Sequence, residues 1–280
     1  MPTPDYLDGA VDFHVHGSPD VDPRRCDDID LAREACRAGM SAIVLKSHQG
    51  STVERAILAQ RVVEGVCVFG GVVLNAPVGG LNTEAVRLAL RMGGKQVWMP
   101  TRSARNHKAH HNQDGGISVL DPAGHLTPET VAILDLLAGT DCVLGTGHLS
   151  PKEGTALIRE ALRRGVRRLL VTHPEWSVTQ YPFDLQKDLA SEGCVMFERC
   201  YVSTTHRCGH TPISRIVEGI AAAGVDSTIL STDLGQPDTP PPAEGFRIYA
   251  GQLAALGFSA SQLHTMMSRN PRSMLSLLES

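Results

Sequence analysis

"AVDFHVHGSPD", residues 10 to 20, decides how the rest of the chain is read. An apolar run ends in two histidines, His14 and His16, one residue apart. On a strand, residues i and i+2 point to the same face, so both imidazoles project together, with Asp12 expected on the same side. Paired imidazoles suit a transition metal such as zinc. A half-buried strand with incidental histidines would look the same over so short a stretch, so the surrounding sequence has to decide.

Working outward, one pattern repeats: a short apolar run ends in polar residues and an amphipathic helical stretch follows. "AVDFHVH" precedes "DDIDLAREACRAGM", "SAIVLKSHQG" precedes "TVERAILAQRVVEG", and "VCVFGGVVLN" precedes "TEAVRLALRMGG". "KQVWMPT", "DCVLGTGHLS", "RRLLVTHPE", "CVMFERCYVS" and "DSTILSTDLGQ" open five further units, eight in all. Gly39, Gly65, Gly93, Gly139, Gly165, Gly193, Gly224 and Gly257 close the helices, as helix ends prefer. Alternating strands and helices imply a parallel sheet, and eight units in 280 residues fit a (β/α)8 TIM barrel. A doubly wound open sheet is the competing architecture. It would favour a Gly-rich dinucleotide turn after the first strand, and "HVHGSPD" is not one.

No boundary divides the sequence, so residues 1–280 are expected to form one barrel, closed by two helices over 261–280. The longest irregular segment is 102–126, "RSARNHKAHHNQDGGISVLDPAGHL". Such length inside a compact domain is usually functional or disordered. Its place after the fourth strand puts it over the catalytic face of a barrel and suggests a gate.

Composition narrows the function. A net charge of −4 gives no basic surface for nucleic acid or membrane lipid. No apolar stretch is long enough to span a bilayer, and "MPTPDYLDGAVDF" is not a secretion signal. Seven cysteines without a paired C-x-x-C spacing argue against a disulfide framework and for a reducing cytoplasm. A small-molecule substrate is the expected partner, and self-association stays open. Histidine is frequent, with 12 residues, and that surplus directs attention to sites.

The polar residues at the strand ends line up. The first strand ends in His14 and His16, and the second in Lys46 and His48. The fifth ends in His148, the sixth in His173, the seventh in Glu198 and the eighth in Asp233. In a barrel these ends meet at one face, where active sites sit. H-x-H on the first strand, His on the fifth and sixth, and Asp on the eighth resemble the amidohydrolase superfamily of metal-dependent barrels. The resemblance covers the whole chain, and "FGGVVLNAPVGGLN", "VWMPTRSARNH", "GHLSP" and "VTHPEW" are similar to a little-characterised branch of it.

The resemblance implies that His14, His16 and Asp233 hold a buried metal. His148 would bind the same ion, or a second ion together with His173. It implies one or two divalent ions, zinc first, with manganese, iron or nickel as alternatives. Asp233 would accept the proton of an activated water and, in a one-metal site, His173 would polarise the substrate. The superfamily's bridging group on the fourth strand is missing, because that strand ends in "VWMPT". Lys46, as a carbamate, is the best substitute, and otherwise a cation for a substrate acid group.

A metal with an open position lowers the pKa of a bound water towards ~7, and an adjacent carboxylate can take its proton. The expected reaction is hydrolysis of an amide, ester, lactone or phosphoester. A one-metal decarboxylase and a non-catalytic metal-binding barrel are the alternatives. His48 and Glu198 are read as substrate or supporting groups. Arg102, Arg105, His107 and Lys108 are basic residues that either clamp a substrate anion or are simply solvated. Cys200, His206, Cys208 and His210 mimic zinc-ligand types, but their spacing matches no common structural site.

Overall fold

The computed structural model describes residues 6–277. In chain order the elements are β1 (Val11–Val15), α1 (Asp28–Arg37), β2 (Ala42–Leu45), α2 (Val53–Val62), β3 (Cys67–Phe69), β4 (Gly71–Val73), α3 (Thr83–Arg91) and β5 (Gln96–Trp98). Then come α4 (Arg105–His110), α5 (Pro128–Leu137), β6 (Val143–Gly145), α6 (Pro151–Arg163), β7 (Leu169–Thr172) and α7 (Phe183–Ala190). The chain finishes with β8 (Val195–Cys200), α8 (Ile213–Ala223), β9 (Thr228–Ser231), α9 (Pro242–Ala255), α10 (Ala260–His264) and α11 (Asn270–Met274).

All strand pairs are parallel, in the orders β1-β2-β3 and β4-β5-β6-β7-β8-β9. β3 and β4 are one strand of the expected eight, interrupted at Gly70. A Cβ there would lie 2.3 Å from the Thr52 carbonyl oxygen, so the entry to α2 presses on the strand where it breaks. The other seam joins β9 to β1. Asp233 N–H donates to the His14 carbonyl, and His16 N–H donates to the Leu234 carbonyl, both at 2.8 Å. With both seams joined, the sheet is the expected (β/α)8 barrel.

The interior is mostly apolar below the charged groups at the strand ends. Val11, Phe13, Ala42, Val44, Val73, Trp98, Val143, Leu170 and Ile229 fill it, and Met274 and Leu275 pack in with them. The outer faces of the strands bury a second layer against the helices. All eight glycines read as helix stops have positive φ. The fifth unit's helix, α6, starts on a capping box, with Ser150 and Glu153 reciprocally bonded and Pro151 in the first turn.

Two expectations need correction. The segment 102–126 is not irregular throughout. It holds α4 and is pinned by bridges Ala104–Ile117 and Leu120–Leu126. Its helix was hidden because six residues are too few to show a hydrophobic period. Asp12 does not share the face of the histidines. A β-bulge between Asp12 and Val15 resets the alternation. The Asp12 carboxylate instead accepts the Thr232 N–H at 2.9 Å and the Thr232 hydroxyl, and lines a small void with Val15 and Leu31.

Candidate metal centre

The bulge that turns Asp12 away brings His14 and His16 together at the end of β1. His14 Nε2 lies 3.1 Å and His16 Nε2 2.9 Å from Asp233 Oδ1. His173 Nε2 lies 3.3 Å from Asp233 Oδ2. Three imidazole nitrogens therefore converge on one carboxylate, from the ends of β1 and β7 and the residues just beyond β9. All three histidines are buried.

His173 and Asp233 both adopt left-handed backbone, with φ of 52° and 53°. For a residue with a Cβ this costs of order 1–3 kcal/mol, and such costs cluster at functional sites. Gly235 completes the turn: a Cβ there would lie 1.7 Å from the His16 carbonyl oxygen.

Beneath the histidines lie further charges. Lys46 Nζ is 2.9 Å from His14 Nε2 and 5.3 Å from the centre of the Trp98 ring, which floors the site. Glu198 Oε1 is 3.4 Å from His14 Nδ1, yet neither of its oxygens has an aligned hydrogen bond. Cys200 Sγ is 3.8 Å from the same nitrogen. Burial pulls the Lys46 ammonium down, against the opposing pull of Asp233 and Glu198. Burial pushes Asp233 up, but His14, His16 and His173 outweigh it and hold the carboxyl well below its usual range. Burial brings His16 down to about 3.

This arrangement fits a divalent cation. Ligand atoms from His14, His173, Cys200 and Asp233 lie within 4.8 Å of one another. The buried Glu198 oxygens have no donor, and the His14, His16 and His173 nitrogens aim their Nε2 edges at a single anion. A cation between these groups would use lone pairs that the protein leaves facing each other.

Above the centre opens a cavity of about 260 Å³. Of the expected residues, His16, His48, Arg102, His107, His148, His173 and Asp233 line it. His148 Nδ1 is 2.9 Å from His107 Nδ1, which joins the fifth unit to α4. Asn106 strengthens that join by donating to the His148 and Val178 carbonyls. Arg105 is not brought here. Being first in α4, and held by Ala104–Ile117, it faces a separate cavity with Asp121 and Lys152. Glu198 sits below the cavity rather than on its wall. The four residues Cys200, His206, Cys208 and His210 do not assemble: Cys200 lies against His14, Cys208 lines the cavity, His206 pairs with Asp238, and His210 faces the Thr204 carbonyl.

Sequence reasoning missed Arg24, Trp176, Arg207 and Gln236, which also line the cavity. Trp176 was the detectable one, since the chain has only two tryptophans and this one follows "THPE". The arginines lie in irregular segments whose course no periodicity fixes.

The family of unknown function DUF6282 matches residues 9–197. No curated protein matches in sequence. Several solved structures share the fold. The dipeptidase AC, a metallopeptidase of family M19, has 10% identity and a TM-score of 0.66, with 96% of this chain and 98% of that chain covered. An amidohydrolase from Burkholderia multivorans with bound zinc has 12% identity and a TM-score of 0.63, covering 96% and 99%. A 2,6-dihydroxybenzoate decarboxylase from Rhizobium has 13% identity and a TM-score of 0.52, covering 97% and 99%. The chain belongs to the DUF6282 family and carries the fold of the amidohydrolase superfamily.

Proposed function

We propose that the protein is a metal-dependent hydrolase, with zinc as the first-choice ion, acting on an amide, ester, lactone or phosphoester of a small molecule. The observation that carries this reading is the convergence of His14, His16 and His173 on Asp233 at the strand ends. Bound there, a divalent ion would acidify water and polarise a carbonyl or phosphoryl oxygen. Asp233 would take the proton from the attacking water, one carboxylate oxygen facing His14 and His16 and the other His173. His173 would orient the substrate oxygen. The size of the cavity above, about 260 Å³, supports a small-molecule substrate, and His148 and His107 form part of its wall. Seven free cysteines fit residence in a reducing cytoplasm. The test is metal analysis of wild type and a His14→Ala/His16→Ala double variant. Wild type should carry one or two equivalents and the variant little. Equal content in both would reject the assignment.

A decarboxylase reading has its own support, because β5 leads into Met99, Pro100 and Thr101 and brings no bridging carboxylate. Lys46 is then decisive. As a carbamate it would bridge two ions; as an ammonium beside one ion it would hold a substrate acid group. Under the bridging form, Lys46→Ala loses one equivalent of metal together with activity, and bicarbonate with a short carboxylic acid restores part of both. Full metal content with only a raised KM favours the one-metal lyase.

A further inference from the structure

His48 is stacked on His16, with ring centres 5.1 Å apart, yet its own nitrogen contact is with the protein frame. His48 Nδ1 lies 2.9 Å from Thr101 Oγ1. The neighbours of that bond set its direction. Asn75 Oδ1 accepts two backbone N–H groups, from Thr101 at 2.8 Å and Ser103 at 3.1 Å. This fixes the amide, so Asn75 Nδ2 is the donating end. It donates to the His48 carbonyl at 3.1 Å and to Thr101 Oγ1 at 2.7 Å. Thr101 is fully buried, and its oxygen already accepts from Asn75. Among the described residues its hydroxyl hydrogen has no acceptor other than His48 Nδ1, and it donates there. A neutral imidazole that accepts at Nδ1 carries its proton at Nε2.

The rest of the cavity wall is similarly rich in donors. Arg24, Arg102 and Arg207 line it, each paired with a carboxylate outside the lining: Asp20, Asp22 and Asp238. Each guanidinium uses part of its fork on that anchor and keeps further N–H groups for a ligand. Among the described residues Asp233 is the one carboxylate on the wall, and it is taken up by the histidines.

We propose that this wall recognises an oxyanion of the substrate, carboxylate or phosphate, with His48 as a neutral Nε2–H donor and Arg102 as its charged partner. Asn75 and Thr101 are positioning residues that lock the His48 tautomer. The proposal rests on the cavity being the substrate site, but its test does not need turnover.

The experiment is long-range proton–nitrogen NMR on protein as purified, labelled at histidine nitrogen, with His48 assigned from the signals lost in His48→Gln. The expected pattern is a protonated Nε2 and a bare Nδ1, with acetate or inorganic phosphate shifting the Nε2–H signal. Whichever anion acts at the lower concentration identifies the substrate's group. Thr101→Val should abolish the single-tautomer pattern and weaken that anion by roughly tenfold, the worth of one hydrogen bond to a charged partner. Thr101→Ser should keep both. An Nδ1–H tautomer in wild type, an imidazolium at pH 7, or an Nε2 signal that neither anion moves would overturn the proposal. A correct tautomer in a protein that hydrolyses nothing would leave it standing and reject the hydrolase reading instead.

Discussion

Glu198 and Arg199 are neighbours on β8, both fully buried and both ionisable, and they meet opposite fates. Strand alternation turns Arg199 outward to the helix layer. There Nη2 donates to Gln186 at 2.7 Å, Nη1 donates to Thr228 at 3.0 Å, and Nε lies 3.2 Å from Glu175. Alternation turns Glu198 inward, where Lys46 and His14 supply charge but no aligned donor meets either oxygen. In the outer cluster Arg199 donates to these neutral acceptors and faces Glu175 across an ion pair, although Arg199 Nε and Glu175 Oε1 make no aligned hydrogen bond. The inner carboxylate has neither oxygen hydrogen-bonded, and this sets a buried charge paired by its own chain apart from one with coordination to spare.

That contrast can be broken by experiment. Arg199→Met should be the most damaging to stability, because it leaves Glu175 buried without its partner. The expected loss is about 3–5 kcal/mol, read as a lowered urea midpoint, with metal content of the folded fraction unchanged. A loss of metal instead would erase the distinction between the two faces. Glu198→Gln should do the reverse. It keeps shape and removes charge, so the metal-free protein should unfold at about the same midpoint. Metal affinity should fall by roughly 10–100-fold, as for groups that support ligating histidines. Competition with a chelator measures it.

The smallest effect concerns protons. Burial, with His111, Arg102 and His110 nearby, brings His107 down to about 4. Its folded pKa lies below the unfolded value of about 6.5, so the unfolded chain binds the extra proton. Stability tied to His107 is present above pH 6.5 and is lost as pH falls towards 4. Its partial exposure limits the slope to at most about 1 kcal/mol per pH unit. In metal-free protein, His107→Gln should flatten the stability profile over that window by this amount. An unchanged profile would mean that the His107 ring is as hydrated as a surface histidine.

Much of this was legible from the strand ends, because a barrel's parallel topology converts sequence position into spatial convergence. His14, His16, His173 and Asp233 needed only that rule. Asp12 was misplaced because a bulge is a one-residue event that leaves no mark on a two-residue period. Arg24 and Arg207 were missed for a different reason. Their positions depend on loop paths fixed by ion pairs with Asp20 and Asp238, and such pairs form only once the fold exists. The role of Thr101 was likewise hidden, since its hydroxyl matters through Asn75 on a neighbouring strand end.

The joint between β1 and β9 has a consequence in time. His14 and His16 leave the ribosome more than two hundred positions ahead of Asp233. The backbone bonds that tie Asp233 to His14 also close the barrel. Under the proposed metal reading, a nascent chain would have no complete coordination sphere until β9 is synthesised. Retention of the proposed ion would then report that β9 has been made, and chains arrested before it would emerge unable to hold the ion.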